Sequence, residues 1–126
     1  MFEKELEIMI KAAELSGDLI MEIYKKGFDV EIKSDESPVT EADKKADNLI
    51  IDMLSKAFPE YGFLTEETPD TEDRLSKEYI WIIDPLDGTK DFVSFHGEFA
   101  TCIALCKNHE IVAGVVNCPA QNVLYY

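Results

Sequence analysis

Tyr79-Ile80-Trp81-Ile82-Ile83-Asp84-Pro85-Leu86-Asp87-Gly88-Thr89 is the stretch on which the reading of this chain turns. It opens with a continuous apolar run, Tyr79 to Ile83, rich in β-branched and aromatic side chains, which is the pattern of a strand covered on both faces. The strand is expected to stop at Asp84-Pro85. Pro85 fixes its own φ near the value of a first turn position, so a bend there would bring Asp84 and Asp87 to the same side of a turn. Gly88 and Thr89 would then offer backbone N–H groups at a helix N-terminus, where a phosphate oxygen is favoured. Magnesium takes hard oxygen ligands, and paired ions about 3.5–4 Å apart can share a carboxylate. The plain alternative for such a hexapeptide is an Asp-Pro and Asp-Gly turn that binds nothing.

Upstream of this stretch the pattern is helical. Apolar or small residues recur from Phe2 to about Lys25 at Leu6, Ile10, Ala13, Gly17, Ile20 and Tyr24, with Met9 and Ile23 flanking, and Gly27 supplies a stop. After a short segment at Val30 to Lys33 and a polar loop at Ser34 to Pro38, Thr40-Glu41-Ala42-Asp43 reads as an N-cap with an acidic partner. The second helix is expected to bury Ala46, Leu49, Ile50, Met53, Leu54 and Ala57 and to end near Pro59. Tyr61 to Thr65 reads as a short strand that leads into the acidic pair Glu66-Glu67. A second source of carboxylates thus follows a strand, although such a pair taken alone is usually a solvated loop.

Downstream, Phe99, Thr101, Ile103 and Leu105 alternate with Ala100, Cys102, Ala104 and Cys106, giving a strand with one large and one small face. Helices are expected against the small face. Lys107-Asn108-His109-Glu110 reads as a hairpin turn into Ile111 to Val116, and Asn122 to Tyr126 as one more strand. Two helices followed by a run of strands predict an α+β fold, with two N-terminal helices packed on a largely antiparallel sheet.

With 126 residues, 46% of them hydrophobic and 30% charged, the chain has enough apolar material for one domain, taken as residues 1–126. A net charge of -14 without a basic stripe argues against a nucleic-acid partner. Any phosphate bound here would need fixed dipoles or cations to offset that charge. No apolar stretch approaches the roughly 20 residues of a membrane span. Glu3, Glu5 and Glu7 are unlike the basic start of a secretory signal, so the expected compartment is the cytoplasm. Cys102, Cys106 and Cys118 lack metal-site spacing and read as reduced, mostly buried small hydrophobes. His96 and His109 fall in predicted loops and receive no role. Trp81 reads as core packing, and Lys33 as a solvated lysine.

Thr40-Glu41-Ala42-Asp43, then Thr65-Glu66-Glu67, then Trp81-Ile82-Ile83-Asp84-Pro85-Leu86-Asp87-Gly88-Thr89 resemble, in order and approximate spacing, the motifs of the inositol monophosphatase superfamily. The matches run from about residue 33 to residue 126. The chain is most similar to the CysQ-type 3'(2'),5'-bisphosphate nucleotidase branch. That likeness lies in Lys33 to Thr40, Lys90-Asp91-Phe92, Gly97-Glu98-Phe99, and Gly114-Val115-Val116 leading to Pro119. Inositol monophosphatases more often have asparagine at the position of Asp91 and lack a lysine at that of Lys90.

The resemblance implies the N-terminal part of a layered α/β sandwich and a magnesium-dependent, lithium-sensitive phosphomonoesterase acting on a small phosphate monoester. It assigns Glu66, Asp84, Asp87 and the Leu86 carbonyl to magnesium. Asp43 and Thr89 would orient the attacking water, and Glu66, Asp87, Gly88, Thr89 and Lys90 would contact the substrate. Helix capping remains a sufficient account of Asp43 by itself. The resemblance also brings in a homodimer for the full-length form and peripheral attachment to the inner membrane. Members of the superfamily have roughly twice this length and carry a further metal-binding aspartate in a Trp-Asp element, which does not occur here. The chain by itself is therefore expected to be weak or inactive.

Two rival readings compete. A haloacid-dehalogenase-type phosphatase also places aspartates after a buried strand, but with one residue between them, whereas Pro85 and Leu86 both intervene here. A module that only binds metal or phosphate is the non-enzymatic rival.

Overall fold

Helix α1 spans Glu3–Lys26, with Glu3 and Glu5 in its first turn and Lys25 and Lys26 in its last, each charge opposite to the nearby pole of the helix dipole. The computed structural model describes residues 2–26, 30–32, 38–65, 77–87, 99–121 and 123–126, the side chains of 30–32, 38–40 and 87 excepted. The buried line of α1 is Met9, Ala12, Ala13, Ser16, Gly17, Ile20 and Ile23. It is rotated from the expected stripe. Met9 and Ile23 lie within it, while Leu6, Ile10 and Tyr24 are half-buried at its margins. Small side chains occupy the middle of the line, where the helix backbone comes closest to the sheet. Gly27 lies outside the described residues.

Strands β1 (Val30–Ile32) and β2 (Pro38–Thr40) pair antiparallel and lead into α2, Glu41–Ala57. That start agrees with Thr40 as the N-cap position. The buried line of α2 is Ala42, Asp43, Ala46, Asp47, Ile50 and Leu54. Leu49 and Met53 lie off this line and are half-buried, and Ala57, at the helix end, is exposed. The expected apolar stripe therefore missed two buried carboxylates.

The sheet contains β3 (Gly62–Thr65), β4 (Tyr79–Asp87), β5 (Ala100–Lys107), β6 (Glu110–Cys118) and β7 (Val123–Tyr125), arranged in sequence order. β3 runs parallel to β4, and the remaining neighbours pair antiparallel, so the sheet is mixed but largely antiparallel. β5 and β6 are joined through Asn108 and His109, both at positive φ (48° and 71°), the geometry of the two-residue hairpin turn. β7 follows a short 3₁₀ turn at Pro119–Gln121.

Both helices pack on one face of the sheet. The main core joins Met9, Ala13, Ile50 and Leu54 from the helices to Trp81, Ile83, Ile103, Leu105 and Val115 from the strands. Trp81 is fully buried among Phe58 and Tyr61, so truncating it to alanine should cost about 3–5 kcal/mol. The helices thus lie against the large face of β5, not the small one. Close approach comes instead from the small residues of α1. Asn117 on β6 donates to the Ala13 carbonyl at 2.9 Å beside Gly17 and ties the two elements together. The cysteines are free, as expected, but only Cys106 is buried; Cys102 and Cys118 are half-exposed on the sheet. Among the described residues no helix is long and apolar enough to cross a membrane.

Candidate active site

β4 does not stop at Asp84 but continues to Asp87. Asp84 pairs with Cys102 and Asp87 with Ala100, with a shift of register between them. Pro85 and Leu86 therefore stand opposite the single residue Thr101, which makes a β-bulge. On a regular strand, residues three apart fall on opposite faces. The extra residue cancels that alternation: Cys102 and Ala100 are two apart on β5, so their partners hold register positions on one face of the sheet. The expected turn is replaced by a bulge with the same consequence. Proline fits there because it has no N–H to give to the ladder. Its carbonyl oxygen accepts a hydrogen bond from Thr101 Oγ1 at 3.0 Å, and Thr101 is fully buried.

The parallel pairing of β3 and β4 places their C-terminal ends at the same end of the sheet, with Thr65 opposite Ile83. Asp84, the next residue on β4, is half-buried. α2 lies against β4, and its buried residues Ala42 and Ala46 share a cluster with Leu86, Phe99, Ile20 and Ile23. Leu86 is 3% exposed. Its side chain thus serves the core, and its backbone lies within the bulge.

Asp43 sits between Ala42 and Ala46 on α2 and is likewise 3% exposed. The structure therefore brings Asp43, Asp84 and Leu86 to one end of the molecule. Asp43 is thus both in the first turn of α2, where a carboxylate caps the helix, and buried.

Glu66, Gly88, Thr89 and Lys90 lie outside the described residues, as does the side chain of Asp87. Among the described residues no three His, Cys, Asp or Glu side chains are grouped to hold a metal ion. The predicted magnesium set depends on Glu66 and Asp87 in addition to Asp84. What is described is the backbone: the bulge sets Asp84 and Asp87 at same-face register positions with Leu86 between them.

Two residues to which the sequence reading gave no role belong to this neighbourhood. Asp47 is 1% exposed and accepts a hydrogen bond from Thr65 Oγ1. Its signal was its place on the line Ala46, Ile50, Leu54, where a carboxylate has no business in an apolar stripe. Thr101 was read with Phe99, Ile103 and Leu105 as part of the large face of a strand, and its hydroxyl was given no partner.

The inositol monophosphatase family model matches residues 2–126. The 3'(2'),5'-bisphosphate nucleotidase CysQ of Escherichia coli K12 is 42% identical over 123 residues, an alignment that covers 95% of this chain and 50% of the relative. An inositol-1-monophosphatase of Mesorhizobium japonicum is 40% identical over 122 residues, covering 95% of this chain and 46% of the relative. Among solved structures, the extragenic suppressor protein SuhB of Bartonella henselae superposes with a TM-score of 0.88 at 36% identity, over 97% of this chain and 48% of that one. The chain spans about half the length of the curated relatives it matches. With the family model matched over residues 2–126 of this chain, and the fold shared, this chain belongs to the inositol monophosphatase family.

Proposed function

We propose that this chain is the metal- and phosphate-binding part of a magnesium-dependent phosphomonoesterase that hydrolyses adenosine 3',5'-bisphosphate to AMP and phosphate. The observation that carries this reading is the β4 bulge, which sets Asp84 and Asp87 at same-face register positions at the end of the sheet where α2 buries Asp43. Glu66, Asp84, Asp87 and the Leu86 carbonyl would hold the cation. When bound, it supplies positive charge against the phosphate oxygens and lowers the pKa of the attacking water.

The chain's own groups do the rest. Asp43 would accept a hydrogen bond from that water and, with Thr89, aim a lone pair at phosphorus; its burial holds the carboxylate in one orientation. The Gly88 and Thr89 backbone N–H groups would bind phosphate oxygens, with Asp87 and Glu66 also lining the substrate site. Lys90, next in sequence, would add a point charge to a second phosphate. Direct attack by water needs no phosphoenzyme.

The nucleotidase branch is supported by Lys90-Asp91-Phe92 and by the 42% identity to the Escherichia coli enzyme. A 40% identical inositol-1-monophosphatase favours a second reading, inositol 1-phosphate as substrate. The cytoplasm is the compartment that suits either, and a homodimer the assembly.

The test is phosphate release from both substrates by a protein of full family length that carries this chain. Activity should require magnesium, fall with lithium, and be nearly abolished by Asp84→Asn with the fold retained. Full activity in chelator or in that variant contradicts the phosphatase reading. A higher kcat/KM on inositol 1-phosphate reverses the choice of branch, and binding without turnover leaves the non-enzymatic module.

A further inference from the structure

We infer that Asp47 is a positioning residue for this reaction: by accepting the Thr65 hydroxyl it locks the turn of α2 that carries Asp43 against the C-terminal end of β3, level with the start of the β4 bulge. The inference rests on the functional reading above and assigns a role to a residue that reading does not use.

Asp43 and Asp47 are four residues apart on α2 and are 3% and 1% exposed, so they stand one above the other on the buried face, with about 6 Å of helix rise between them. The remainder of that line, Ala42, Ala46, Ile50 and Leu54, is apolar. Packing alone would be served by another aliphatic side chain. A carboxylate taken out of water is costly unless hydrogen bonds compensate it. Thr65 supplies such a bond from the last residue of β3.

The position of Thr65 gives the bond its use. Thr65 is registered against Ile83, the residue before Asp84. A helix held to a sheet by apolar contacts alone can slide or roll by a fraction of an ångström at little cost. A directional hydrogen bond cannot follow such a movement without weakening. Asp47 thus sets where α2 lies along its own axis relative to β3 and β4. Asp43, one turn earlier on the same rigid helix, takes its place at the Leu86 end of β4 from that anchor. Asp47 itself is a turn further from the bulge and acts only through Asp43.

The test uses a protein of full family length carrying this chain, with adenosine 3',5'-bisphosphate as substrate and Mn²⁺ as the metal probe, its binding followed by electron paramagnetic resonance. Thr65→Val removes the hydroxyl at nearly constant shape. It should lower kcat about tenfold, since a small misplacement of an orienting group is costly, while KM and Mn²⁺ affinity stay within about twofold. Thr65→Ser should restore kcat. In the background of Asp43→Asn, which already lacks the orienting carboxylate, Thr65→Val should cause little further loss. Wild-type kcat in folded Thr65→Val, or full additivity with Asp43→Asn, overturns the positioning role. Should Thr65→Val not fold, Asp47→Asn carries the test, because it keeps an acceptor oxygen in the same volume. That variant should retain kcat within about threefold, and a loss as deep as that of Asp43→Asn overturns the inference. A wild type that hydrolyses no phosphate ester overturns the functional reading and this inference with it.

Discussion

The Thr101 hydroxyl donates to the Pro85 carbonyl oxygen at 3.0 Å, at the place where β4 carries one residue more than β5. The bulge between Asp84 and Asp87 is therefore held by a side chain as well as by the ladder. Thr101→Val keeps the shape of the side chain and removes the donor, which should cost about 1–3 kcal/mol in urea unfolding. Thr101→Ser should recover most of the loss. Equal unfolding midpoints for valine and threonine would mean that the bond adds nothing to the bulge.

Gly17 sits where α1 comes closest to the sheet. A Cβ added there would run into Asn117 Nδ2 and approach Pro119 Cβ to 3.3 Å. Asn117 has little room to yield, because it is 8% exposed and its amide is committed to the Ala13 carbonyl. Gly17→Ala should therefore destabilise the protein by about 1–3 kcal/mol, despite the gain of about 1 kcal/mol in helix propensity. A higher melting temperature in this variant would show that the contact relaxes freely.

The Tyr61 phenol is pushed up from 10.0 to about 12, first by burial and then by its hydrogen bond to Glu5 at 3.0 Å. A folded-state value above the unfolded one means that the contribution to stability is complete below pH 10. It is then lost as pH rises from 10 through 12. Tyrosinate absorbance should show this group titrating about two units late, and Glu5→Gln should bring it down while burial keeps it above 10. An ordinary titration in the folded protein would contradict the burial.

The 126-residue chain, which spans about half the length of its relatives, should by itself bind magnesium and phosphate weakly and turn over little substrate. Activity should return when the remaining family length is supplied in the same chain or as a partner. Turnover of the purified 126-residue protein at saturating magnesium decides this, and a rate comparable to that of a full-length relative would refute it.

The α+β class, the two helices, the apolar strand Tyr79 to Ile83 and the hairpin at Asn108 and His109 were all legible in the sequence, because each follows from a short-range period or a turn residue. The motifs drew Asp43, Asp84 and Leu86 out of the sequence as candidates, and the family membership that those motifs suggested was legible as well. Other features depended on the tertiary structure. The parallel pairing of β3 with β4 is a contact between distant segments that no local pattern encodes. Whether Asp84-Pro85 ends a strand or bulges within it depends on the partner strand, and here Thr101 on β5 takes the carbonyl that Pro85 presents. The burial of Asp47 was hidden for the same reason: a carboxylate reads as solvated until a hydroxyl from another element is found beside it. Sequence pattern determines which residues can share a face; only packing decides which polar groups find the partners that let them be buried.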